Sequence, residues 1–314
     1  MSAAAALAGG TLGLATAPAA PAAQLPQPTA ASHAGRRPPA TLPSRTASYL
    51  GVYENETPGA YGQVDTFARM AGRQPNVLMY YSDLSGAFPV AFAREAEAHR
   101  STVLDTLEPS NISMSAIAAG RDDAFLRGYA RQVRSFGHPV LISFAPEMNG
   151  HWYSWGWTHT SPQTWIRGYR HVVNLFRRTG VKNVTWLWTV NQITSGEGPI
   201  ADWWPGAGYV SWVSIDGYFY RRANTFQSVF GQAIAAVRRL SSRPVFIGET
   251  AIGQVAGQAR KIPLLFAGIR DYHLLGLLWF DAAQSGSLFK QHWRIEGNRA
   301  AEAAFHAAVR KYIR

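Results

Sequence analysis

Short apolar runs and amphipathic stretches alternate from Tyr49 to the end of the chain, and this alternation limits the fold more than any other feature. Apolar runs at 48–53, 76–81, 102–106, 139–145, 184–190, 211–216, 244–248 and 274–280 read as eight strands. Helical periodicity fills 61–72, 89–98, 121–136, 162–179, 224–240 and 257–271, with a last helix at 298–312. Between the fifth and sixth strands lies a Gly-, Pro- and Trp-rich loop with at most a short helix. Strands that alternate with helices form a parallel sheet covered on both faces. Eight such units predict a closed (β/α)8 TIM barrel, a single domain over 46–314, near the ~250 residues typical of that fold. An open nucleotide-binding sheet would place a glycine-rich phosphate loop after its first strand. Glu54-Asn55-Glu56-Thr57-Pro58-Gly59 stands there and has no such pattern.

Charge and cysteine usage narrow the function. The net charge is +11, but the arginines are dispersed over helix-like segments: Arg69 and Arg73, Arg127, Arg131 and Arg134, Arg167 and Arg170, Arg238 and Arg239. Nucleic-acid binding needs such charge gathered on one face, so no nucleic-acid partner is expected. The absence of cysteine excludes disulfides and thiolate metal sites. Residues 1–45 contain no acidic residue, and Ala3 to Ala15 are mostly apolar and run into Ala-Pro-rich sequence through Ala23. This resembles the apolar core and cleavage region of a signal peptide, without its preceding basic segment. Export to the outside or surface of the cell is therefore expected. Residues 38–43 read as an extended linker. No other run is apolar for the ~18 residues a membrane span requires, so no stable membrane partner is expected.

In a barrel of this kind the active site lies at the carboxyl ends of the strands. Acidic and aromatic residues collect there. Asp83 follows the second strand and Glu108 the third. Glu147-Met148-Asn149-Gly150-His151-Trp152, then Trp155 and Trp157, follow the fourth. Trp188 and Asn191 lie at the fifth, Asp216-Gly217-Tyr218 at the sixth, Glu249 at the seventh, and Trp279-Phe280-Asp281 at the eighth. Carboxylates suit a cationic oxocarbenium centre, and indole faces suit the C–H faces of sugars. Glu147 and Glu249 stand out, each directly after a buried run. The competing class is a non-catalytic polysaccharide-binding barrel, which would need the aromatic platform but not both glutamates.

Glu147-Met148-Asn149-Gly150, followed by Trp152 and Trp155, resembles the acid/base motif of glycoside hydrolase family 26, and Gly248-Glu249-Thr250 resembles its nucleophile motif. The similarity covers roughly 46–312. It implies a retaining, endo-acting enzyme that cleaves β-1,4-linked polysaccharide, β-mannan or mixed-linkage β-glucan, by double displacement, with Glu147 as acid/base and Glu249 as nucleophile. It implies that Tyr218 hydrogen-bonds the nucleophile and that Trp279 stacks on sugar. Trp152, Trp155, His151, Asn149, Asn191 and Asp281 are the further candidate substrate contacts, with Asp83 and Glu108 at the rim. Arg294, after Trp293, resembles a structural segment of the family. Pro146 stands where most family mannanases carry histidine, which weakens mannan as the substrate. No cofactor and no metal is implied, since His151 has no second ligand at metal-binding spacing. A monomer is expected.

Overall fold

A computed structural model describes residues 41–283 and 292–314. Eight strands, β1 (Tyr49–Tyr53), β2 (Val77–Asp83), β3 (Thr102–Glu108), β4 (Val140–Phe144), β5 (Val184–Asn191), β6 (Trp212–Asp216), β7 (Val245–Thr250) and β8 (Gly276–Phe280), pair in parallel in chain order. β1 pairs with β8 and closes the barrel, with Tyr49 opposite Gly276 and Tyr53 opposite Phe280. The helices are α1 (Gly62–Ala71), α2 (Val90–Ala98), α3 (Met114–Ala118), α4 (Asp123–Phe136), α5 (Pro162–Arg178), α6 (Gln232–Leu240), α7 (Gln258–Asp271) and α8 (Arg299–Tyr312). The (β/α)8 expectation is met. Among the described residues, no helix is long and apolar enough to cross a membrane.

The elements follow from their side chains. β4 (Val-Leu-Ile-Ser-Phe) and β8 (Gly-Leu-Leu-Trp-Phe) are buried along their whole length, as a strand covered on both faces must be. α4 turns Leu126, Tyr129, Ala130, Val133 and Phe136 toward the sheet, while Arg127, Arg131 and Arg134 are exposed. Gly137 ends that helix at φ +77°, a left-handed geometry that glycine adopts without steric cost. At α5, Ser161 caps the N-terminus by accepting from Thr164 N, and Pro162 occupies the first turn, where its missing N–H costs nothing.

Three expectations shift. The helix expected at 224–240 is a wide turn at Gln227–Gly231 running into α6. The five-residue α3 has no counterpart in the sequence reading. The signal-like segment and the linker up to residue 40 lie outside the described residues. The end of that linker packs on the barrel: Leu42 N donates to Thr185 Oγ1, and Ser44 Oγ accepts from Trp212 Nε1.

Candidate active site

Glu147 and Glu249 both stand at the carboxyl end of the barrel, one residue set beyond β4 and the other at the end of β7. Local backbone geometry aims each of them. Ala145 and Glu147 take φ of +47° and +52°, in the left-handed region that non-glycine residues rarely occupy. Strain of this kind costs on the order of 1–3 kcal/mol per residue and persists only where surrounding contacts impose it. Here Ala145 N donates to Leu107 O, Glu147 N donates to Thr189 O, and Gly150 N returns to Glu147 O. On β7 the register shifts beside both neighbours, between Ile215 and Asp216 on β6 and between Ile247 and Thr250 toward β8. Such bulges re-aim a side chain at a strand end. Gly248 permits this close packing, because a Cβ there would lie 1.9 Å from Ser214 Oγ and 2.7 Å from Asp216 Oδ1.

Two phenols hold Glu249. Tyr81 donates to Oε1 at 2.6 Å and Tyr218 to Oε2 at 2.7 Å. Burial and the Glu249 charge raise both phenols well above their ordinary pKa, so both remain donors at neutral pH. Tyr218 is itself packed against Trp293, with ring centroids 4.9 Å apart, and edge-on to Phe280. Burial raises the pKa of Glu249, and the two phenols pull it back down. Glu147 has a different environment. Trp152 Nε1 donates to its Oε2 at 2.9 Å. Burial first, then the charge on Glu249, pushes the Glu147 carboxyl up to about 8, while the Trp152 bond opposes this. Among the described residues, no arginine or lysine pairs with either glutamate.

The other expected contacts divide. Tyr218 bonds Glu249, the contact the sequence pointed to. Trp152 is 44% exposed, the one tryptophan among the exposed large apolar side chains. His151 is exposed beside it, ring to ring at 5.4 Å. Asn191 is partly buried and donates to Glu197 Oε1, a carboxylate the sequence reading did not single out.

Four assignments need correction. Trp279 is fully buried, donates to Trp293 O and packs edge-on against Phe305 of α8, so it belongs to the layer between sheet and helices and has no face for a sugar. Trp155 is buried under Tyr153, stacked at 4.2 Å, and donates to Pro146 O, which makes it a brace for the β4 loop. Asn149 is fully buried and joins two loops, accepting from Asn191 N and donating to Asn191 O. Asp281 is fully buried and accepts from Ile295 N. The tryptophans are for the most part core: Trp165, Trp188, Trp203, Trp212, Trp279 and Trp293 are all sealed from solvent.

Asp281 belongs to a second acidic cluster. Glu54, Asp281 and Glu296 bring carboxylate oxygens within 4.8 Å of one another at the β1–β8 seam, a spacing that could hold a cation. Arg294 already supplies positive charge there, 3.7 Å from Glu54 and Glu296 and 4.0 Å from Asp281.

A closed (β/α)8 barrel with two differently held carboxyl groups at its carboxyl rim belongs to the class of barrels that carry their chemistry on strand ends. The profile of glycosyl hydrolase family 26 matches residues 111–309, and the chain belongs to that family. It is 27% identical over 282 residues to endoglucanase H of Acetivibrio thermocellus, a match that covers 84% of this chain and 30% of the relative. The chain thus spans less than a third of that curated relative. In fold it is similar to a Cellulomonas fimi endo-β-1,4-mannanase double mutant (TM-score 0.66, 16% identity, 84% of this chain and 70% of the other). It is also similar to the family 26 β-mannanase BoMan26A of Bacteroides ovatus (TM-score 0.65, 14% identity, 85% and 89%).

Proposed function

We propose that the protein is a retaining, endo-acting glycoside hydrolase that cleaves β-1,4-linked polysaccharide by double displacement. The observation that carries this reading is the unequal treatment of two strand-end carboxyls. Glu249 is clamped by two phenols that stabilise its charge, and Glu147 is pushed toward its neutral form by burial and by that same charge. Two carboxyls whose environments drive their proton affinities apart divide acid and nucleophile between them.

In the first step Glu249 attacks the anomeric carbon while Glu147 gives its proton to the departing glycosidic oxygen. A glycosyl ester forms on Glu249 and its negative charge disappears. The proton affinity of Glu147 then falls, because one cause of its elevation is gone. Glu147 takes a proton from water, the water attacks the anomeric carbon, and the ester bond to Glu249 breaks with retention of configuration. Tyr81 and Tyr218 keep Glu249 oriented throughout, and Trp152 holds Glu147 while offering an exposed indole to sugar.

A cleft rich in carboxyls, with no arginine or lysine among the described residues paired to the catalytic two, favours an uncharged glycan over an anionic one. Endoglucanase H as a relative favours a β-glucan, the mannanase-like folds keep β-mannan in view, and Pro146 weighs against the latter. Export is proposed on the Ala3–Ala15 stretch alone, and cell fractionation tests it. The functional test is reducing-end release from barley β-glucan, β-mannan and xylan, with the product anomer read by proton NMR. Release of the retained anomer supports the proposal. Binding without release would leave a polysaccharide-binding barrel instead.

A further inference from the structure

We propose that Glu108 is a substrate-binding residue, a third cleft carboxyl that hydrogen-bonds sugar hydroxyls beside the cleavage point; this rests on the glycosidase reading above. Glu108 is the last residue of β3, and its neighbour Leu107 accepts the backbone bond from Ala145 at the start of the loop that carries Glu147. It is thereby fixed beside the catalytic loop. The surroundings also fix its side chain. Tyr153 stands beside it and draws its pKa down, Tyr153 lies flat on Trp155 at 4.2 Å and 11°, and Trp155 is tied to Pro146 O at 2.7 Å. A carboxyl beside a clamped phenol has little freedom left to lose when a ligand arrives.

What the protein leaves open on Glu108 matters equally. A carboxylate offers about four acceptor positions, and Tyr153 is the neighbouring phenol that favours its charged form. The side chain is partly exposed, and among the described residues no lysine or arginine pairs with it. Asp83, its register partner on β2, is already engaged by Ser85 N and Oγ and stands exposed. Glu108 therefore keeps unfilled acceptor capacity at the end of β3, which pairs with β4 and is bonded to the start of the loop that carries Glu147; the charges of Glu147 and Glu249 are felt there. Burial, and after it the Glu249 and Asp83 charges, lifts its pKa to about 7 against the pull of Tyr153, so both protonation states are populated near neutral pH. Either state can bond a hydroxyl, by accepting or by donating. The polar groups of a neutral glycan are hydroxyls, which fit this need.

The test separates binding from turnover. Glu249→Ala and the double variant Glu249→Ala/Glu108→Gln are titrated calorimetrically with cellohexaose, mannohexaose or xylohexaose, whichever corresponds to a polymer the wild type cleaves. The double variant should bind about tenfold or more weakly, the scale of a hydrogen bond to a charged group. In the active background, Glu108→Gln should raise KM more than it lowers kcat. A Kd within about twofold of Glu249→Ala would overturn the proposal. If the glutamine variant does not fold, Tyr153→Phe in the same background is the second probe, with several-fold weaker binding expected and an unchanged Kd as the contrary result. Failure of the glycosidase reading would look different: the wild type itself would release no reducing ends from any of the polymers.

Discussion

The barrel carries two groups of carboxyls at its strand ends, and they are built for opposite ends. At β4 and β7, Glu147 and Glu249 are partly exposed and are met by neutral donors, an indole and two phenols. At the β1–β8 seam, Glu54 and Asp281 are sealed completely and share the Arg294 guanidinium with Glu296. Neutral donors tune a carboxyl and leave it able to exchange protons or form a bond. Burial holds the sealed seam carboxyls toward their neutral form beside the guanidinium and leaves substrate no access to them. Position at a strand end is thus shared by both groups, and what distinguishes chemistry from architecture is the partner and the access.

The largest effects should fall on the first group. Glu249→Ala should reduce turnover on polysaccharide by at least about a thousandfold with an unchanged circular dichroism spectrum, since the covalent route is lost. Glu147→Ala should cost roughly 10²–10⁴, and substrates whose leaving group needs no proton should lose much less; equal losses on both substrates would argue against its acid role. Tyr81→Phe and Tyr218→Phe should each lower kcat roughly ten- to hundredfold, the worth of one hydrogen bond to a charged acceptor. The acid must be protonated to act, so kcat/KM should fall as pH rises through about 8, the proton affinity of Glu147. An alkaline limb near 5 would assign the acid to another group.

The second group should respond in stability and not in rate. Burial raises Glu54 to about 8 in the folded chain, against 4.5 when exposed. Between those values the folded state holds more protons than the unfolded one, so this contribution to stability is full below pH 4.5 and is lost as pH rises through about 8. Glu54→Gln should leave kcat/KM within about twofold and flatten the dependence of Tm on pH over that window. A large loss of activity would erase the distinction between the two groups.

The sequence showed the strand order because apolar runs and helical faces differ in period, and it showed Glu147 and Glu249 because each breaks a buried run. It could not show which way Trp279 points. A strand covered on both faces is apolar at every position, so β8 carries no alternation to separate barrel interior from helix layer. Asp281 passed the same strand-end test as Glu249. What disqualifies it is Arg294, thirteen residues on and brought back only by the fold. Tyr81 was missed because it closes the apolar run at 76–81 and reads as part of that run; its bond to Glu249 joins residues 168 apart and is made only by the fold. Asn149 and Trp155 belonged to a dense motif whose members brace the loop as well as serve it, and spacing alone does not sort the two.

The most direct measurement traps the intermediate. A 2-deoxy-2-fluoro glycoside with an activated leaving group, incubated with the wild-type protein, should add the mass of one glycosyl unit. Peptide mapping should place that mass on Glu249, with no addition to Glu249→Ala. Retained products together with a label on any other residue, or full turnover without any labelled species at Glu249, would contradict the assignment of that side chain as the nucleophile.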